Sequence, residues 1–454
     1  MVVAAICIFG IKRGVGLESL SEFFYTLRIQ RHVGVSVSSL RKIQQSLEEK
    51  ILTYQTEQQE RLHQACKSLP TICVGVDETW FDQTVLVMME LSSGYLLVED
   101  KVEDHRYTTW QTSLETMLQD WSGRIHYCVN DRDKALIKLA LNELDCPSIA
   151  YLFHAMRKLT RGLALELDHR SLHLKRRLRD GKGLETQAHE ITQAIHTELT
   201  RVQQAQADFR EHIMHISLAL HPFDVCTHAA QTTQQVSEKL TQRVSALKQF
   251  KKDHQLKDAP GGIDQFSRQV GDLSAVVDLW WQWVSQTLDS QSVSTLMTDW
   301  ITRILLPLCY WQTQTQRTDT PALKLQYQHA YQHAQMTLQT HPVTQTLSDE
   351  DYLHWVEWAQ DMVTKFQRTT SAVEGRNGYL TQVHHNRRGL STRQLKVLTV
   401  IHNFDLKRAD GSTAAERLFK LSHPNLFQTV LDQMLELPSP RRRAKVLTSK
   451  SLPD

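Results

Sequence analysis

Three acidic residues, far apart in the chain, stand where divalent-metal phosphodiester chemistry would need them. They are Asp77 in ICVGVDETWF, Asp131 in RIHYCVNDRDKA and Glu374 in TTSAVEGRNGYL. The first two each follow a short apolar run that reads as a buried strand, and the third falls on a helical stretch. Carboxylate oxygens suit hard cations. Two strand-end carboxylates and one on a helix can bind a pair of Mg²⁺ ions, and such a pair drives in-line displacement at phosphorus. The arrangement predicts an enzyme acting on DNA or RNA.

Each acid has a plainer reading beside it. Asp77 could be a turn residue capping the backbone, although a carboxylate closing an apolar strand is costly to bury unless a metal or partner offsets it. Glu78 should point to the opposite side if the strand continues. Asp133 rivals Asp131, but an acid in a first helical turn is expected for dipole reasons alone, so Asp131 is preferred. Ser371 and Glu374 fit the S-x-x-E capping box, in which the glutamate serves the helix start. Against that, Gly375 and Gly378 weaken a helix by about 1 kcal/mol each relative to alanine. Glycines there would let a DNA backbone or a strand edge come close. Arg376, His384, His385, Arg387 and Arg388 follow and could bind phosphates. His154, after the apolar YLF, could reach a phosphate or be a satisfied core histidine. Trp280, Trp281, Trp283, Trp300, Trp311, Trp355 and Trp358 could stack on bases, though most read as helical core. No P-loop, GxSxG or dinucleotide fingerprint occurs.

These residues need a scaffold. From about Leu17 to Leu52 the chain reads as two helices around a turn at Gly34, with Ser36 or Ser38 capping the second. The first carries Leu20, Phe23, Phe24 and Leu27. In the second, Leu40, Ile43 and Leu47 form the apolar stripe and leave Ser39, Arg41, Lys42 and Gln45 outside. That is a helix-turn-helix pattern, whose second helix enters the major groove, or a plain αα-hairpin. From Thr71 the pattern becomes TICVGVD, TVLVMMEL and YLLVEDKV as strands, with a hairpin turn at Ser92-Ser93-Gly94. A helix from Thr109 to Trp121, the strand IHYCVN, a helix through Leu136 and Leu139, the strand SIAYLF and a further helix complete the order βββαβαβα. This α/β order, with a mixed sheet, is that of the ribonuclease H fold. In such sheets the crevice lies beyond the carboxyl ends of parallel strands, where Asp77 and Asp131 fall. From Arg161 to Gln367 only helical periodicity is evident, including a long stripe from Leu184 to Ile216. The expected division is 1–70 helix-turn-helix-like, 71–160 ribonuclease H-like core, 161–365 all-α insertion, 366–420 the last core helix with the third acid, and 421–454 a basic tail.

Composition constrains the partners. Hydrophobic residues make up 41% and charged residues 22% of 454 residues, and net charge is only +2, so no global basic field announces nucleic acid. The basic residues cluster instead at Lys175, Arg176, Arg177 and Arg179, and at Arg441, Arg442, Arg443 and Lys445, where they could bind phosphates or simply solvate a face. Seven scattered cysteines, never in CxxC spacing, argue against disulfides and structural zinc and for a reducing compartment. The opening MVVAAICIFGI is too short to span a bilayer and has no basic residues before it, so it reads as part of the fold. A cytoplasmic, nucleoid-associated protein without a membrane partner is expected.

Taken together, the chain resembles the DDE transposases of bacterial insertion sequences. The resemblance rests on VGVDETWFD, VNDRDKALIKLA, LFHAMRK and SAVEGRNGYLTQVHHNRRGLSTRQLKVLTVIHNFDLKRADGSTAAERLF. The helical middle matches the subset with a large inserted domain. The resemblance implies that Asp77, Asp131 and Glu374 hold two Mg²⁺ or Mn²⁺ ions. It also implies cleavage at the element's end by an activated water, followed by attack of the exposed 3′-hydroxyl on target DNA. A homodimer or higher oligomer on double-stranded DNA is implied as well. Two other readings stay open: a non-catalytic DNA-binding relative, and a nuclease of this fold without strand transfer.

Overall fold

The computed structural model describes residues 1–66, 71–121, 123–180, 188–258, 261–434 and 437–439. The chain opens with α1 (Val2–Ala5), which continues as a π-helix over Ile6–Lys12, then α2 (Leu17–Thr26) and α3 (Val37–Cys66). Strands β1 (Ile72–Trp80), β2 (Thr84–Glu90) and β3 (Leu96–Val102) follow, then α4 (Tyr107–Asp120), β4 (Ile125–Asn130), α5 (Lys134–Asn142) and β5 (Ser148–Ala150). The long helices are α6 (Leu152–Asp180), α7 (Ala188–Ala219), α8 (Thr233–Asp253) and α9 (Gly262–Ser290). Shorter ones follow: α10 (Thr295–Trp300) running into a π-helix at Ile301–Leu305, α11 (Leu306–Arg317), α12 (Pro321–Thr340), α13 (Pro342–Thr346) and α14 (Asp349–Thr364). The chain ends with α15 (Ser371–Arg387), α16 (Thr392–Phe404), α17 (Ala414–Phe419) and α18 (Leu426–Asp432). The architecture is mixed α/β with a large helical portion. No described helix is long and apolar enough to cross a membrane.

The strands form one sheet in the order β3-β2-β1-β4-β5. β2 and β3 are antiparallel, and β1 with β4 and β4 with β5 are parallel. All seven residues of β2 and all six of β4 are buried, which matches their unbroken apolar runs; a strand covered on both faces has no solvent side to spend polar residues on. The bounds of β4 are those expected. β1 corrects the expectation: it does not stop at Asp77 but continues to Trp80. β5 corrects it in the other direction. Tyr-Leu-Phe looks extended, yet only Ser148–Ala150 is strand and Leu152 already starts α6. Ala155, Leu159, Leu163 and Leu167 are all buried, and this helical stripe recruits the residues just before it.

Contacts divide the chain into two units. One comprises Met1–Thr71, Val76–Arg124 and Ala372–Asp454, and the other Ile72–Gly75 and Ile125–Ser371. In the first unit, α3 is built on buried Leu40, Ile43, Leu47, Ile51 and Tyr54. Ser36 Oγ accepts from Ser39 N at its start, as expected of a cap. The helix then runs for 30 residues and packs on α16 and α18, with Tyr54 OH donating to Pro424 O at 2.6 Å. It is a scaffold helix, and this corrects the reading of a short hairpin ending near Leu52. The expected stripe of α2 is halved: Leu20 and Phe24 are buried, while Phe23 and Leu27 are exposed. Asn403 on α16 accepts from Leu96 N at 2.9 Å and donates to Leu96 O at 3.0 Å. Its amide thus stands in for a neighbouring strand at the β3 edge.

The second unit is the helical one. Trp280, Trp283, Trp300 and Trp311 are all buried in its core, so these indoles are not a base-stacking surface. Their N–H groups are used internally, for example Trp280 to Met362 O and Trp300 to Thr344 Oγ1, both at 2.9 Å. His221 is fully buried between Tyr310 OH at 2.5 Å and Tyr327 OH at 3.0 Å. Burial drives its pKa well below the ordinary histidine value, so the ring is neutral and can donate to one phenol and accept from the other. Gly262 is required where α9 passes α6, because a Cβ there would lie 2.2 Å from Lys158 O. Leu184 of the long stripe, and the tail residues Arg441, Arg442, Arg443 and Lys445, lie outside the described residues.

Candidate active site

Asp77 sits in the second half of β1 and is half-buried. Alternation along the strand separates it from Glu78, as expected. Glu78 Oε1 accepts from Trp110 Nε1 of α4 at 3.0 Å. Asp77 Oδ2 instead accepts from Asn377 Nδ2 of α15, also at 3.0 Å. Glu374 lies on α15 three residues before Asn377, and residues three apart share a helix face. The bond to Asp77 therefore ties the strand carrying one acid to the helix carrying another. Asn377 Oδ1 is buried and has no hydrogen-bond partner among the described residues. A buried acceptor left over beside a carboxylate suits a site meant for a cation or its water.

Asp131 immediately follows β4 and is exposed. Its Oδ1 accepts from Asp133 N at 2.9 Å, and Asp133 in turn caps α5 by accepting from Ala135 N at 2.8 Å. The preference for Asp131 over Asp133 thus has a structural counterpart, since Asp133 is occupied as an N-cap. Arg132 between them has φ of +71°, a left-handed conformation uncommon for a side chain of this size. It is held there by bonds to Ser148 O at 3.1 Å and to Asp272 at 2.9 Å. Strained residues of this kind collect at functional turns. The parallel register pairs Gly75 with Val129; Asp77 and Asp131 each come two residues further along their own chain.

The capping reading of Glu374 does not match the helix start. Ser371 is the first residue inside α15, not the residue before it, and its hydroxyl donates to Thr369 Oγ1 at 3.1 Å. Gly375 and Gly378 are exposed, and a Cβ on either would meet nothing within 4 Å. That face of the helix is open. Among the described residues no group of three or more His, Cys, Asp or Glu side chains is placed to hold a metal ion as they stand.

Several expected phosphate ligands are otherwise engaged. Arg376 is buried, and its Nε and Nη2 grip both oxygens of buried Glu99 on β3 at 2.7 and 2.6 Å. Thr399 of α16 donates to the same carboxylate at 2.5 Å. This corrects the phosphate-binding reading of Arg376: its charge is neutralised inside the first unit. Arg387 is also turned inward, donating to Gly10 O at 2.5 Å at the end of the N-terminal helix. Burial lowers its pKa. A side chain spent on a helix C-terminus is structural, and this too is a correction. Arg388 is exposed and ends α15 with φ of +58°. His154 lies in the first turn of α6 with its ring 4.8 Å from that of Tyr151. Arg41 and Lys42 are exposed at the start of α3, whereas Ser39 is half-buried with its hydroxyl 2.9 Å from Ser36 Oγ. Lys175, Arg176, Arg177 and Arg179 are exposed on α6.

The residue that sequence reasoning missed is Asn377. Its signal was a polar side chain one turn beyond Glu374, on the same helix face. Glu99 was missed as well, since an acid on a strand shows no partner until Arg376 is brought to it across the fold.

A family described only as one of unknown function, DUF6399, matches residues 301–446. That range includes Glu374, Asn377 and all of α15 and α16, but neither Asp77 nor Asp131, and it is less than half of the chain. No curated protein matches the chain significantly.

Proposed function

We propose that the protein is a metal-dependent DNA-cleaving and strand-transferring enzyme, a transposase with Asp77, Asp131 and Glu374 as its acidic triad on a ribonuclease H-like core. The observation that carries this reading is the Asn377–Asp77 bond, which fastens the Glu374 helix to the Asp77 strand. The fit to a divalent cation rests on an all-oxygen donor set and on the buried, unpartnered Asn377 Oδ1. Asp77, Asp131 and Glu374 would hold Mg²⁺ or Mn²⁺, two ions, which supply water activation and charge neutralisation at the scissile phosphate. Asn377 orients the Asp77 carboxylate, as outer partners of metal ligands do. The open glycine face of α15 gives a phosphate backbone room to approach, and exposed Arg388, Arg41 and Lys42 supply backbone affinity. The same core without strand transfer would be a nuclease.

A second reading, a DNA-binding relative without catalysis, is favoured by one observation: no ready-made group of three metal ligands exists among the described residues. One experiment separates the readings. The purified protein is incubated with DNA containing the end of its flanking element and with Mg²⁺ or Mn²⁺, and cut and joined products are mapped. Cuts at the element end that vanish in Asp77→Ala, Asp131→Ala and Glu374→Gln support the enzyme. Cuts without joined products reduce it to a nuclease, and binding without cuts leaves the non-catalytic reading.

A further inference from the structure

Trp80 is the most exposed aromatic side chain among the described residues, with 74% of its surface accessible. It ends β1, three residues after Asp77, at a turn that is firmly held. Phe81 beside it is buried and stacks on His384 of α15, with ring centroids 4.9 Å apart and planes 13° apart. Phe81 N donates to Gln83 O at 3.1 Å. Asp82 accepts from Lys101 Nζ at 2.9 Å, and the same ammonium donates to Leu390 O at 2.7 Å just past α15. The backbone under Trp80 is thus tied to β3 and to the end of α15, while the indole itself covers nothing. Single exposed apolar residues are ordinary. A rigidly mounted indole beside cations is less so. His385 and Arg388, both exposed, lie at the end of α15 that the Phe81–His384 stack brings to this turn. An aromatic platform next to basic side chains is the pairing that binds unpaired nucleotides: the ring stacks a base and the cations take the phosphates.

We infer that Trp80 is a nucleobase-stacking platform that, with His385 and Arg388, receives an unpaired stretch of the DNA strand. This rests on the reading of the protein as one that acts on DNA, and it adds that the substrate is engaged partly single-stranded. The test measures binding by fluorescence anisotropy, without metal, to a blunt duplex and to the same duplex carrying a short thymidine overhang. Trp80→Ala should weaken overhang binding about 10- to 100-fold, the range for losing one stacked base, and leave the blunt duplex within about threefold. Trp80→Phe should restore most of the affinity, because a smaller ring still stacks. Arg388→Ala should weaken both probes and reduce the salt dependence of each. Unchanged thermal melting of Trp80→Ala is the folding control, expected for a side chain that packs on nothing. If the unaltered protein binds and cuts DNA but Trp80→Ala binds the overhang equally well, the platform is refuted and the enzyme reading survives. If the unaltered protein binds neither probe, both fall together.

Discussion

Replacing Asn377 by aspartate tests the link between β1 and α15 most directly. The wild-type amide donates to Asp77 Oδ2 at 3.0 Å; the variant would put a second carboxylate in its place. Two unit charges about 4 Å apart repel by about 4 kcal/mol at an effective dielectric near 20. Asp77 is half-exposed, and solvent screening should reduce this to about 1–2 kcal/mol. Losing a hydrogen bond to a charged acceptor adds about 1.5 kcal/mol, for a total near 3 kcal/mol at neutral pH. Asn377→Leu loses only the bond, so the difference between the two variants isolates the charge. The sign of the pH dependence follows. Repulsion raises the folded pKa of the pair above the unfolded carboxylate value of about 4, so the folded state holds extra proton in between. The excess destabilisation of Asn377→Asp should therefore be absent below about pH 4, grow as pH rises through the raised pKa, and stay constant above it. Urea melts at acidic and neutral pH read this directly. Adding Mn²⁺ should then stabilise Asn377→Asp more than the unaltered protein, because a second carboxylate at a cation site adds a ligand. Identical melts for Asn377→Asp and Asn377→Leu at every pH would refute the facing of the two side chains. A charge penalty that Mn²⁺ does not relieve would refute the metal at Asp77.

In the cleavage assay, Asp77→Ala and Asp131→Ala should abolish cutting with little change in DNA affinity, since phosphate binding comes from lysine and arginine; Asp133→Ala should lose its cap, about 1 kcal/mol of stability, and still cut. Arg376→Met should cost about 3–5 kcal/mol in a urea melt by stranding buried Glu99, whereas the double change Arg376→Met with Glu99→Leu should recover most of it; a double variant as unstable as the single one would contradict the ion-pair account. His402 donates to or accepts at Gly94 O across 2.9 Å, and burial first, then Arg376, lowers its pKa to about 4. The unfolded chain therefore takes up the proton first as pH falls from about 6.5 towards 4, and stability should decline by up to about 1.4 kcal/mol per pH unit in that window. His402→Gln should flatten that slope, measured as the difference between the two melting profiles against pH.

The amino-acid sequence alone determined the elements whose patterns are local. The buried run IHYCVN could only be a strand between Arg124 and Asp131, and the 3.6-residue stripes of α8 and α9 could only be helices, because side-chain periodicity records which faces meet solvent. It also singled out Asp77, Asp131 and Glu374, since a carboxylate at the end of an apolar run is conspicuous on chemical grounds. Ends and partners were another matter. Tyr151–Phe153 is apolar enough for strand or helix, and the stripe continuing through Leu167 decided it. Ser371 fits a capping box by spacing, but the helix begins at Ser371 itself, a difference of one residue that no local pattern records. Above all, the roles of the arginines after Glu374 were invisible. Arg376, Arg387 and Arg388 are chemically alike and close in the chain, yet one is buried on Glu99, one turned onto Gly10, and one left in solvent. A guanidinium is neutralised or free according to which acceptor the fold brings within about 3 Å, and Glu99 and Gly10 come from hundreds of residues away. The same holds for Asn377: only when β1 and α15 meet does an ordinary helical asparagine become the partner of Asp77.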